Sequence, residues 1–139
     1  MVATLRQELS AIRKKLDIAK ILKKAAENNK WDKEHAAYAL DQYVKHLYLC
    51  IQNRGKPIAA ISEAGDLLWH QHILDTDKYS GDCKTVVGRF LDHKPIYGKP
   101  TSAEKKAYED TQTLYTKTFG VAPRDLAMTS GNYSYTRNA

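Results

Sequence analysis

The chain has no apolar run approaching the roughly 18 residues that a membrane-spanning helix needs, so no span is expected. Its first 22 residues lack both the continuous apolar stretch and the small-residue cleavage site of a secretory signal, and the cytoplasm is the expected compartment. Cysteine is scarce: only Cys50 and Cys83 are present, too few for a disulfide framework, and both read as reduced thiols. Cys50 sits in the apolar run Leu47–Ile51 and reads as buried packing. There is no phosphate-binding loop, dinucleotide fingerprint, nucleophile elbow or paired-histidine zinc-protease helix. These absences remove the commonest sequence signatures of nucleotide binding, serine hydrolysis and zinc proteolysis. No internal repeat and no strand-like alternation is readable either.

What is present is an ordinary globular composition, 42% hydrophobic and 27% charged over 139 residues. That length suits one domain with a hydrophobic core of its own. The formal net charge of +6 is uneven. Residues 1–33 carry nine Lys or Arg against four acids, a net of +5, and the remainder is nearly neutral. A basic helix can meet nucleic acid, an anionic surface or an acidic partner, or can simply be the solvated face of an amphipathic helix. Trp31 is the one aromatic residue among these cations and no nucleic-acid motif accompanies them, which disfavours nucleic acid as the partner.

Apolar residues recurring every three and four positions predict a first helix over 4–28, on Leu5, Leu9, Ile12, Leu16, Ala19 and Leu22. A second is expected over 32–52, with Asp32 as its N-cap and Asn53-Arg54-Gly55 as its stop. Residues 58–61 read as a short apolar connector, and Ser62 caps a third helix to about Leu74. A fourth is expected over 77–91, weakened by Gly81 and Gly88. The last opens on a capping box, Thr101 with Glu104, and closes at Phe119-Gly120. The expected fold is therefore all-α: a single-domain bundle of about five helices over 1–120, followed by an irregular tail over 121–139.

Three of the five histidines, one cysteine and several carboxylates fall between Asp66 and His93. Imidazole, thiolate and carboxylate are the groups that ligate transition metals and move protons, so this stretch holds the candidate site. Asp66 and His70 lie four apart and share a helix face. His72 points about 200° away from His70 in a regular helix, and is either a ligand or a buried core histidine. Tyr79, Cys83, Val86, Phe90 and His93 form one stripe on the fourth helix, with Phe90 in the core and His93 at the helix end. If the two faces meet, His70, His93 and Asp66 converge, with His72 as a further ligand and Tyr79 and Cys83 as catalytic candidates. His35 and His46 read as structural or surface residues.

The residues Asp66, Trp69, His70, His72, Asp75, Thr76, Tyr79, Asp82, Cys83, Gly88, Phe90, His93 and Pro95 form a pattern that resembles the glycine-rich domain-containing protein-like family. The similarity spans roughly 36–120. With only 7 glycines the chain resembles the short form without the glycine-rich extension. It departs at Ala60-Ile61-Ser62, where a Pro-Ser pair is usual. The resemblance implies a helical domain in which the histidines, Tyr79 and Cys83 sit together, and it brings no mechanism.

The expected function is that of a small metal-binding helical protein, a metal-dependent oxidoreductase or hydrolase. Its ligands would come from His70, His72, His93 and Asp66, its metal would be iron or zinc, and its substrate a small molecule or peptide. The alternative is a non-catalytic module whose basic N-terminal helix docks a partner, the polar cluster then being structural.

Overall fold

The computed structural model describes residues 2–130 and 133–139. Its helices are α1 (Leu5–Leu16), α2 (Ala19–Asn29), α3 (Lys33–Gln52), α4 (Glu63–Leu74), α5 (Thr76–Asp82), α6 (Ser102–Phe119) and α7 (Ala127–Ser130). Three very short strands, β1 (Ile58–Ala59), β2 (Lys94–Pro95) and β3 (Ser134–Thr136), complete it. The expected all-α class holds, with this small sheet added.

The caps read from sequence are in place. The Asp32 side chain accepts from the His35 amide at the start of α3, and Ser62 accepts from Gly65 at the start of α4. Thr101 and Glu104 form a reciprocal capping box on α6, which Gly120 ends in the left-handed conformation at φ 88°. The core gathers between α3 and α4, where Tyr43, Leu68 and Trp69 are wholly buried. Gly65 lets these helices approach: a Cβ there would lie 3.1 Å from Gln42 Cβ.

Four expectations are corrected. The single helix over 4–28 is two, broken at Asp17, which takes a left-handed φ of 31°. Leu16 and Ile18 would point to opposite sides of a continuous helix, and the break lets both be buried, at 2% and 4% exposure. The helix expected over 77–91 stops being α-helical at Asp82. Cys83–Val87 is a π-turn, closed by a bond from the Gly88 amide to the Cys83 carbonyl, and Gly88 at φ 93° ends it. A π-turn adds a residue per turn and rotates everything after it, so the stripe from Tyr79 to His93 does not exist as one helical face. Phe90 is accordingly 56% exposed instead of core, and His93 lies in the extended segment entering β2.

The connector after Pro57 is a strand, β1. Finally, the tail expected to be irregular carries α7 and β3, apart from Gly131 and Asn132, which lie outside the described residues. β3 is the middle strand of the order β1-β3-β2, antiparallel to both, with Ile58 opposite Thr136 and Pro95 opposite Ser134. The tail also supplies Asp125, whose carboxylate accepts from the Ala64 amide, the Ser62 hydroxyl and the Tyr38 hydroxyl, locking the start of α4.

Candidate metal centre

α4 presents Asp66 and His70 one turn apart on the side that faces the small sheet. β2 is preceded by His93, and β3 brings Ser134 between them. Asp66, His70 and His93 each offer one ligand atom, and these atoms lie within 4.8 Å of one another. The His70 and His93 rings stand edge to face, with centroids 4.5 Å apart. The His70 side chain is 44% exposed and forms the way in, whereas Asp66 is almost fully buried.

Polar satisfaction within this cluster is incomplete. Ser134 Oγ lies 3.0 Å from His70 Nε2 and also bonds the Asp66 carboxyl. Asp66 Oδ1 is 3.7 Å from the same His70 nitrogen, too far for a hydrogen bond, and has no other partner among the described residues. His93 Nε2 is likewise buried with no partner among the described residues. Two orphaned atoms in one small site run against the rule that buried polar groups are paired, at a cost of roughly 1–3 kcal/mol each.

Burial sets the protonation states. It pushes the Asp66 carboxyl up to about 7, an effect that the Ser134 bond moderates and Glu63 reinforces. It pulls His93 down to about 4, helped by His70, and lowers His70 as well. At neutral pH both imidazoles are therefore uncharged, with lone pairs available for ligation, and the carboxyl is poised to lose its proton. Two imidazoles and one carboxylate suit zinc or non-haem iron, either of which keeps open positions for substrate or water. A Ser-His-Asp relay is not formed here, because Ser134 and Asp66 both address Nε2 of His70, whereas a relay needs them on opposite ring nitrogens.

The other sequence candidates lie elsewhere. His72, expected as a possible ligand, is 1% exposed and occupied at both nitrogens. Tyr43 Oη is 2.7 Å from Nδ1 and Asp82 Oδ2 is 2.8 Å from Nε2. Its position i+2 from His70 turns it to the opposite side of α4, as helical geometry requires. Tyr79 is buried behind Trp69. Its hydroxyl accepts from the Trp69 indole at 2.9 Å and donates to the Leu91 carbonyl at 2.7 Å, so its proton is held on a backbone acceptor. The Cys83 thiol is buried beside it, and burial raises its pKa, away from a reactive thiolate. These two therefore support the site from behind: Tyr79 fixes the Trp69 ring, which packs at 4.5 Å from His93 on one side and from His46 on the other. His46 is a buried neutral histidine, its pKa pulled down to about 3 by desolvation, and His35 is an exposed one stacked on Trp31.

Sequence reasoning missed Ser134 and Asp125. Both lie in the tail, where no periodicity marks a strand of three residues, and nothing local signals contacts made more than 60 residues away.

The class these observations define is a small helical domain in which a C-terminal strand, through Ser134, reaches back to a group of two histidines and one carboxylate. The chain belongs to the UCP032817-like family, whose model matches residues 9–124. That description names no activity. No curated protein and no solved structure matches the chain.

Proposed function

We propose that Asp66, His70 and His93 hold a divalent transition metal, zinc or iron, and that the protein is a metal-dependent hydrolase or oxidoreductase. The observation carrying this reading is the pair of orphaned buried atoms, Asp66 Oδ1 and His93 Nε2, within a three-residue set of compatible spacing. One cation among them satisfies both and draws the Asp66 proton off. The metal supplies Lewis acidity or redox chemistry. His70, exposed at the mouth, is the ligand nearest to incoming substrate, and its Nε2, which faces Asp66, exchanges the Ser134 hydroxyl for the cation.

The test is elemental analysis of protein purified without a histidine tag, in air and anaerobically, followed by zinc and iron(II) titration of chelator-treated samples. Wild type is expected to take up one equivalent, and His70→Ala and His93→Ala to lose at least tenfold in affinity. Equal uptake by all three, or none by wild type, would overturn the proposal.

A further inference from the structure

A groove of about 320 Å³ opens directly on this cluster, lined by α4 on one side and by the segment around β2 and β3 on the other. Its walls are apolar at Leu67, Pro95 and Ile96. Its charged lining residues, among those described, are both acids: Glu63, exposed at the rim, and Asp66, buried at the base with one oxygen unpartnered. No lysine or arginine lines the groove among the described residues, so its formal charge is of one sign.

The helix N-terminus next to the groove does not change this sign. The first amides of α4 are already taken: Glu63 N–H by the Asp125 carbonyl, Ala64 N–H by the Asp125 carboxylate and Gly65 N–H by Ser62. No free donor remains there to draw an anion. Glu63 and His70 are seven residues apart on α4, so about 10 Å of helix separates the rim carboxylate from the exposed imidazole.

We infer that this groove is the substrate site and that it takes a small molecule with an apolar body and a protonated amine, the amine at Glu63 and the other end toward His70. The inference rests on the metal reading for what happens at the His70 end, but the amine preference rests on the groove alone. Asp66 neutralises one of the two charges of a bound dication, and the remaining +1 lies about 10 Å from Glu63, roughly one screening length, so the rim carboxylate still pairs with the amine. The apolar walls accommodate several methylene groups between the two ends.

The test uses pentylamine and pentanoate as probes, followed by NMR shift perturbation at pH 8, on full-length protein with EDTA and again with one equivalent of zinc. Pentylamine is expected to bind with shifts at Leu67 and Ile96 and to prevail over pentanoate in the EDTA sample. Glu63→Gln should weaken it about fivefold, the size of an exposed ion pair, and Glu63→Lys should reverse the order of the two probes. Among the described residues Glu63 is exposed and its side chain makes no hydrogen bond or ion pair, so both variants are expected to fold, which unchanged amide spectra verify. Pentanoate binding as tightly as pentylamine, amine binding indifferent to Glu63, or no binding of either probe would each overturn the inference. Zinc uptake in the same samples reports on the metal reading separately, so the two can fail independently.

Discussion

The carboxyl of Asp66 makes a quantitative prediction for the metal-free protein. Its pKa of about 7 in the folded chain stands well above its ordinary value of 3.8, because burial disfavours the charged carboxylate. A carboxyl whose folded pKa is raised stabilises the fold fully below its unfolded pKa, and that contribution is lost as pH rises through the folded one. The window runs from about pH 4 to pH 7. Between pH 5 and pH 8 the loss is about 2–3 kcal/mol, at about 1.4 kcal/mol per pH unit over the part of that interval below the folded pKa. Asp66→Asn carries no titrating group there. Urea unfolding of both proteins in EDTA, followed by circular dichroism, gives the double difference in which the histidine titrations cancel to first order. Wild type should lose about 2–3 kcal/mol relative to the variant on going from pH 5 to pH 8. A difference that is constant within about 0.5 kcal/mol would mean that the carboxyl titrates normally and that its burial does not govern the site. Adding zinc at pH 8 should stabilise wild type and leave Asp66→Asn unmoved.

Ser134→Ala removes the hydroxyl that occupies His70 Nε2, so zinc affinity by competition against a chromophoric chelator should hold or rise, with little change in melting temperature, and a loss of tenfold or more would refute ligation through Nε2. Tyr79→Phe strands the Trp69 indole and the Leu91 carbonyl, and should cost about 1–3 kcal/mol in urea unfolding while zinc stoichiometry stays at one. Cys83→Ala should likewise leave metal uptake intact, and a loss of uptake in that variant would place the thiol in the site after all. Asp125→Ala uncaps α4 and frees Tyr38, with an expected cost of about 1–2 kcal/mol by the same assay.

Helix capping explains what was legible. Asp32, Ser62 and the pair Thr101 and Glu104 begin helices by bonds to amides three residues away, and such bonds are written in adjacent sequence. The face shared by Asp66 and His70 follows from helical pitch in the same way. The position of His93 was reachable only in part. Its residue type and proximity to the motif marked it, but the π-turn and Gly88 carry it off the helix on which a 3.6-residue period places it. Phe90 was misplaced for the same reason, because one added residue in a turn moves every side chain that follows.

The sequence by itself determined α3, α4 and α6, their N-caps and the shared face of Asp66 and His70, since each depends on interactions within about one helical turn. Tertiary structure decided the rest. It sent His72 to Tyr43 and Asp82, brought His93 against Trp69 and His70, and laid Ser134 over the cluster through a strand paired with residues about 40 and 76 positions earlier. Those contacts are worth having only once the chain between them has already folded, so no local pattern encodes them. The two orphaned atoms exist for the same reason, because packing removed their water and supplied no partner.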